Sequence, residues 1–321
     1  MPDVGVPRLN SRMTRKIIID CDPGHDDAVA LLLASAHPGL EILAVTTVAG
    51  NSSLENVTRN ALGLAELLAI AAPVAAGSAR PLVAASEDDG FHGETGLSGV
   101  TLPEASASSP ALDPRHAVDL IIELVMSHEP GEVTLVPTGP FTNIALAARR
   151  EPRIIERVRE VVLMGGGAEG GNMTATAEFN VWFDPEAADI LFSAGWPVRM
   201  VGLDVTMQAL ATPEVRARAR ALGTVRGRLL SEMLEASAPG YEKDGFPGPA
   251  MHDVVAVAAV VAPGLLEFER APISVELAGT RTRGMTVVDR RRWIPREVPT
   301  QYARALDVEG FWGLLLAAAA E

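Results

Sequence analysis

Hydrophobic and polar positions along the first two thirds of the chain predict strands that alternate with helices. Residues 16–20 are mostly β-branched, which predicts a buried strand. Residues 25–36 are apolar at helical spacing, and His37-Pro38-Gly39 predicts the end of that helix. Further strands are predicted at residues 41–48, 74–76, 132–137, 160–164 and 198–203, and further helices at residues 54–68, 115–128, 142–149, 184–194, 212–236, 254–261 and 311–320.

This alternation implies an α/β fold, a mainly parallel sheet covered by helices on both faces. Ligands of such sheets lie at the carboxyl ends of the strands. Two long loops are predicted at residues 77–114 and 237–250, and residues 272–308 have β character. Since no repeat or linker divides the chain, we expect a flexible leader at residues 1–15 and one domain at residues 16–321.

Composition and charge exclude several classes of function. The 321 residues carry a net charge of −14, from 41 acidic and 27 basic side chains, which disfavours a nucleic-acid partner and permits a neutral substrate with a bound cation. The single cysteine, Cys21, allows no internal disulfide and no multi-thiolate zinc site, as in a reducing cytoplasm. The most apolar stretches, residues 254–262 and 314–320, are too short to cross a membrane.

Four acids gather where the first strand ends and the first helix begins: Asp20, Asp22, Asp26 and Asp27. A helix N-terminus stabilises a nearby anion by only ~0.3–1 kcal/mol, so four carboxylates in one pocket need protons or a cation. Oxygen ligands favour calcium or magnesium over zinc. Helix capping would account for one or two of these acids, but not for the whole cluster.

Two later segments carry further polar chemistry. His252 and Asp253 precede an apolar helix, and a histidine there can give a proton to a leaving group. Glu178 and Asn180 carry groups that suit sugar hydroxyls. Taken alone, each segment would be ordinary loop and capping chemistry. The glycine-rich residues 165–171 lead to no immediate helix, which argues against dinucleotide binding.

A set of motifs in order along the chain resembles the inosine–uridine preferring nucleoside hydrolase family. The motifs are DCDPGHDDA at residues 20–28, VAGN at 48–51, HGETG at 92–96, LVPTGP at 135–140 with TN at 142–143, LMGG at 163–166, AEFN at 177–180, DPEAA at 184–188, and HD at 252–253. The similarity runs from about residue 16 to the C-terminus, and the combination is highly specific.

The resemblance implies a Rossmann-like single domain with a mixed, mainly parallel sheet and one bound Ca²⁺. It also implies hydrolysis of the N-glycosidic bond of ribonucleosides to ribose and free base, through an oxocarbenium-like transition state. Its implied calcium ligands are Asp22, Asp27, Asp253 and the backbone carbonyl of Thr138. Asp22 would be the general base that activates a water on the ion.

By the same resemblance, several residues would surround the ribose, and Asp20 would support the site from behind. The implied ribose contacts are Asp26, Asn51, Asn172, Glu178, Asn180 and Asp253, with Met164 beside them. His252 is the candidate proton donor to the base, and His92 a second possibility. Phe179, Tyr241 or Phe246 could line the base pocket, which leaves the preferred base open.

The resemblance further implies a small-molecule ribonucleoside as the partner, with no nucleic acid and no membrane. A homodimer or homotetramer in the cytoplasm, acting in ribonucleoside catabolism and purine and pyrimidine salvage, is expected on the same ground. One alternative is a ribonucleoside or ribose binder without turnover, against which the retained Asp22, Asp27 and Asp253 argue. Another is a phosphatase with an Asp-x-Asp nucleophile, for which no convincing downstream lysine is found.

Overall fold

The computed structural model describes residues 14–84, 95–102 and 111–321. Its strands are β1 (Arg15–Cys21), β2 (Leu40–Thr47), β3 (Val74–Ala76), β4 (Val133–Pro137), β5 (Glu160–Met164), β6 (Val198–Val201), β7 (Leu266–Arg270), β8 (Ile273–Val275), β9 (Thr286–Val288) and β10 (Thr300–Leu306). Its α-helices are α1 (His25–Ala36), α2 (Leu54–Leu67), α3 (Ala117–Ser127), α4 (Thr142–Arg150), α5 (Ile154–Arg157), α6 (Phe179–Phe183), α7 (Pro185–Ser193), α8 (Leu203–Thr206), α9 (Pro213–Arg220), α10 (Val225–Lys243), α11 (His252–Val261) and α12 (Val308–Ala319). In this part of the chain, no helix combines the length and apolarity needed to span a bilayer.

Eight strands form one mixed sheet in the order β3-β2-β1-β4-β5-β6-β10-β7. All neighbours are parallel except β10 and β7, which are antiparallel. Strands β8 and β9 pair separately as an antiparallel two-stranded sheet. The predicted α/β fold with a mainly parallel sheet is therefore confirmed.

The first strand explains why both faces of the sheet are covered. Ile17, Ile18 and Ile19 are all fully buried, although successive side chains of a strand point to opposite faces. Ile17 and Ile19 pack in a cluster with α1, α10, α11 and α12. Ile18 packs with α3, α4 and α7 on the other face. Helices therefore cover the sheet from both sides.

Two sequence predictions were wrong in extent. The strand predicted at residues 198–203 ends at Val201, and Leu203 already begins α8. The loop predicted at residues 237–250 is helical in its first half, because α10 continues through Pro239 to Lys243. Tyr241, which follows the proline, contacts His252 and Phe246, so tertiary contacts hold this end of α10 against the helix-breaking tendency of Pro239.

Most of the predicted leader and much of the first long loop lie outside the described residues, as does His92. Within that loop, the described flank at residues 95–102 is held to the domain by polar contacts. The side-chain amide of Asn60 donates to the carbonyl oxygens of Pro23 and Thr95, at 3.1 and 2.9 Å. A ring nitrogen of His25 lies 3.0 Å from the carbonyl oxygen of Ser98. This flank therefore lies beside the start of α1.

Candidate active site

A cavity of about 780 Å³ opens at the carboxyl edge of the main sheet. Parallel strands end at one edge, so residues far apart in sequence meet there. Asp22 follows β1, Asn51 follows β2 and Thr138 follows β4. The predicted site residues that line the cavity are Asp22, Asp26, Asn51, Thr138, Met164, Asn172, Glu178, Phe179, Asn180, His252 and Asp253.

The Asp22 carboxylate sits tightly between two glycine-containing turns. The backbone N–H of Asn51 donates to Oδ2 of Asp22 at 2.7 Å. A Cβ atom at Gly50 would lie 2.0 Å from Oδ2, and one at Gly139 would lie 2.6 Å from Oδ1. Only glycine allows such close approach of the backbone. Both glycines therefore hold the position of Asp22.

Asp27 lies deeper, in the first turn of α1, and is fully buried. The backbone N–H of Gly24 donates to its Oδ2 at 3.0 Å, and the Thr138 hydroxyl donates to its Oδ1 at 2.8 Å. The side-chain amide of Asn51 adds a contact at 3.3 Å. These donors fix the orientation of the carboxylate. They also bring the loops after β2 and β4 onto α1.

Asp253, in the first turn of α11, completes a cluster of acids with Asp26 and Asp27. One carboxylate oxygen from each of the three lies within 4.8 Å of the others. Carboxylates held this close and buried from water repel one another, so without a cation the cluster favours bound protons.

The electrostatics of the cluster fit a bound cation. Burial, and then the charge of Asp27, raise the pKa of Asp22 well above its ordinary value. Burial and the Asp26 charge raise the pKa of Asp27 to about 7. Burial and the charges of Asp26, Asp27 and Asp22 raise the pKa of Asp253. Buried carboxylates that repel one another are stabilised as anions by a hard metal ion, and the oxygen donors match that type of ion.

Asp20 lies behind this cluster at the end of β1, without exposure to solvent. Its Oδ1 accepts hydrogen bonds from the Thr46 hydroxyl at 2.6 Å and the Asn143 amide at 2.8 Å. Its backbone carbonyl accepts from the N–H groups of Thr138 and Gly139. Burial raises the pKa of Asp20 to about 7. Asp20 thus supports the turn that carries Thr138.

Glu178 and Asn180 approach from the opposite wall of the cavity. Glu178 caps α6, and its carboxylate accepts from the backbone N–H groups of Asn180, Gly166 and Val181. Burial raises its pKa to about 7, although these three N–H groups favour the anion. The Asn180 side-chain amide donates to the carbonyl oxygen of Thr138 at 2.7 Å. The two walls are therefore connected through Thr138.

Asn172, Phe179 and Met164 complete this wall. Asn172 is exposed, and its Oδ1 accepts from the backbone N–H of Phe179 at 3.0 Å. The centroid of the Phe179 ring lies 6.2 Å from the ring centroid of Trp182 and 5.9 Å from that of Phe183. Met164 is buried at the end of β5, where its carbonyl oxygen accepts from Asn180. An apolar surface therefore adjoins the polar groups here.

His252 also lines the cavity, in the first turn of α11 next to Asp253. Its Nε2 lies 2.8 Å from the Tyr241 hydroxyl, and its Nδ1 lies 2.7 Å from the Thr206 hydroxyl. Burial lowers the pKa of His252, and the charge of Asp26 opposes that shift. The Tyr241 ring also packs edge to face against the Phe246 ring, with 5.9 Å between the ring centroids. Both aromatic rings line the cavity.

Sequence reasoning missed two polar residues after β6. Asp204 lines the cavity and accepts from the backbone N–H groups of Ala168 and Glu169 at 2.8 and 3.1 Å. Thr206 orients His252. The signal was available, because both residues follow a parallel strand at its carboxyl end. It was overlooked because neither residue belongs to one of the family motifs.

Comparison with known proteins decides the family. Residues 17–313 match the inosine-uridine preferring nucleoside hydrolase family. This chain belongs to that family. The nucleoside hydrolase is therefore an enzyme that acts on the N-glycosyl bonds of ribonucleosides, and the non-catalytic and phosphatase alternatives are set aside.

Individual relatives of this nucleoside hydrolase cover nearly its whole length. The inosine-uridine preferring nucleoside hydrolase of Leishmania major is 52% identical over 306 residues, which are 95% of this chain and 97% of that protein. The protein of the same name from Crithidia fasciculata is 51% identical over 307 residues, with the same coverage. The solved structure of a purine-preferring ribonucleoside hydrolase from Gardnerella vaginalis superposes with a TM-score of 0.88 at 34% identity, covering 95% of this chain and 98% of that chain.

Proposed function

We propose that this nucleoside hydrolase is calcium-dependent and cleaves inosine- and uridine-type ribonucleosides to ribose and free base. The single observation that carries the proposal is the convergence of Asp22, Asp26, Asp27 and Asp253 beside a cavity that His252 also lines. Relatives named inosine-uridine preferring nucleoside hydrolase at 51–52% identity support the choice of substrates.

In this proposal Asp22, Asp27, Asp253 and the Thr138 carbonyl would hold the calcium ion. Carboxylate and carbonyl oxygens are the ligands that calcium prefers. The Asn180 amide already occupies one side of the Thr138 carbonyl at 2.7 Å, and a carbonyl oxygen has two lone pairs. Bound calcium would orient the ribose and make the attacking water more acidic.

Asp22 would take the proton from the attacking water. A general base must have its free lone pairs aimed at the reacting group. The Asn51 N–H and the close approach of Gly50 and Gly139 hold the Asp22 carboxylate in one orientation.

The wall that carries Glu178 and Asn180 would bind the ribose, together with Asp26, Asn51, Asn172 and Met164. Cleavage of the glycosidic bond builds positive charge on the sugar, and nearby carboxylates stabilise that charge. The Glu178 carboxylate is buried and fully oriented by three backbone N–H groups. Such fixed charge is effective because little reorganisation is needed during the reaction.

The base would lie beside His252 and the rings of Tyr241 and Phe246, which line the same cavity. The departing base carries negative charge unless it receives a proton, and His252 is the donor in this proposal. The hydroxyls of Tyr241 and Thr206 hold the two ring nitrogens of His252. His92 lies outside the described residues, so its role as a second donor stays a prediction. The homodimer or homotetramer and the cytoplasmic location also stay predictions.

The decisive experiment measures release of free base from inosine, uridine, cytidine, adenosine and guanosine, with calcium and after chelation. We expect hydrolysis of inosine and uridine with calcium, and loss of activity with a chelator that calcium restores. Equal rates before and after complete calcium removal would contradict calcium dependence. No hydrolysis of inosine or uridine, but activity on another nucleoside, would contradict the proposed substrates.

A further inference from the structure

The two-stranded sheet of β8 and β9 lies outside the main sheet, yet it contacts the ribose wall of the cavity. Thr286 begins β9 and is 1% exposed. Its hydroxyl accepts a hydrogen bond from the N–H of Gly167 at 2.9 Å and donates to the carbonyl of the same residue at 2.7 Å. One side chain therefore fixes both polar groups of residue 167.

The residue before this contact holds the Glu178 carboxylate. The N–H of Gly166 donates to Oε2 of Glu178 at 2.8 Å. Gly166 has a φ of +71°, a conformation that favours glycine, and a Cβ atom there would lie 2.7 Å from Cγ2 of Thr286. The direction of the Gly166 N–H thus depends on the backbone that Thr286 secures.

The residue before β9 also holds the segment that carries the acceptor of this hydrogen bond, Glu178. Met285, next to Thr286, forms an antiparallel bridge with Ala177, which directly precedes Glu178. Thr286 therefore holds the segment that contains the donor, Gly166, and Met285 holds the segment that contains the acceptor, Glu178. Since these two contacts secure both sides of the hydrogen bond from Gly166 to Glu178, Met285 and Thr286 together position the Glu178 carboxylate.

We propose that Thr286 is a positioning residue for catalysis, which orients the Glu178 carboxylate toward the ribose through the backbone at residues 166–167. This inference rests on the proposed role of Glu178 in ribose binding. Thr286 does not line the cavity, so it acts only through other residues. Loss of a single hydrogen bond that holds a substrate-binding group is expected to change kcat/KM by up to about tenfold.

The test is Thr286→Val, which keeps the shape of the side chain and removes its hydroxyl. We expect kcat/KM for inosine to fall about tenfold, mainly through a higher KM. Thr286→Ser should restore most of the loss, because it retains the hydroxyl. If Thr286→Val does not fold, Thr286→Ala takes its place, since it removes the hydroxyl without placing a methyl group at its position.

Thr300→Val is the matched control. Thr300 is 4% exposed, and its hydroxyl donates to the backbone carbonyl of Ala271 at 2.5 Å, away from the cavity. This variant loses a buried hydroxyl and a hydrogen bond to the backbone, but it leaves Gly167 untouched. We expect its melting temperature to fall and its KM to stay at the wild-type value.

A double-mutant cycle separates positioning from a general loss of stability. In a Glu178→Gln background, Thr286→Val should change kcat/KM by less than about twofold, because residues that act through one another are not additive. The inference would be overturned if the effects of the two substitutions on kcat/KM multiplied in the double variant. A wild-type KM in Thr286→Val would overturn it as well. Wild-type kinetics in Glu178→Gln alone would instead overturn the proposed ribose role of Glu178.

Discussion

The hydroxyl of Tyr241 lies 2.8 Å from Nε2 of His252, although the two residues belong to different helices, α10 and α11. The other ring nitrogen of His252 is held by the Thr206 hydroxyl. With both nitrogens in hydrogen bonds, the ring orientation is defined before substrate binds. The proposed proton donor, His252, and an aromatic ring of the cavity are thus joined in one hydrogen-bonded unit.

His252→Ala should reduce kcat for inosine about 10²–10⁴-fold, which is the usual contribution of general acid catalysis. Hydrolysis of nitrophenyl riboside should change little, because nitrophenolate leaves without a proton. Tyr241→Phe should have a smaller effect on inosine, about tenfold, since it removes one hydrogen bond to His252. Steady-state kinetics with both substrates check these outcomes. An equal loss on both substrates in His252→Ala would argue against acid catalysis.

Asp22→Ala should lower kcat by at least about 10³-fold, because it removes both a proposed calcium ligand and the proposed general base. Calorimetric titration should show weaker calcium binding by the same variant. Asp119→Ala is a suitable control, since Asp119 pairs with Arg150 at the surface of α3 at 2.8 Å, and exposed ion pairs contribute little stability. Wild-type turnover in Asp22→Ala would refute the assigned role.

Gly139→Ala should displace the Asp22 carboxylate, because the new Cβ would lie 2.6 Å from Oδ1 of Asp22 and 2.9 Å from Cγ1 of Val48. Misplacement of a catalytic group by about 1 Å can reduce the rate 10²-fold, so we expect a loss of about that size in kcat/KM. Gly313→Ala in α12 meets no atom within 4 Å and should leave the kinetics unchanged. If Gly139→Ala retains wild-type kcat/KM, the tight fit around Asp22 is not required for activity.

The calcium-free protein should lose stability as the pH rises from about 4 to about 7. Burial raises the pKa of Asp20, Asp27 and Glu178 to about 7, so the folded state binds protons that the unfolded state has already released in this range. Stability is fully present below the ordinary carboxyl pKa and is lost as the pH approaches the raised value.

Thermal unfolding with chelator at pH 5 and pH 8 measures this effect. We expect a drop of at least about 2 °C, the shift that 1 kcal/mol produces in a large domain, and calcium should reverse most of it at pH 8. Asp20→Asn should show a smaller pH dependence, because it removes one of the titrating groups. A melting temperature that rises with pH in the presence of chelator would contradict the prediction.

Local sequence patterns were sufficient for the strand–helix order and for the acid cluster. The boundaries of α1 and of strands β3 and β5 agree with those predicted, because hydrophobic periodicity and capping signals depend on neighbouring residues. The family motifs also placed most of the polar residues that line the cavity. By contrast, the short helix α6 and the continuation of α10 past Pro239 were not predicted.

The sequence by itself determined which side chains stand at strand ends and helix starts, since those positions follow from local periodicity. Only the tertiary structure decided which of them meet. The Thr138 hydroxyl reaches Asp27 across 111 positions, and Thr286 reaches Gly167 across 119. Such pairs depend on strand order and packing, and no local pattern encodes them. The same holds for Tyr241 and His252, which meet because α10 and α11 converge over the cavity.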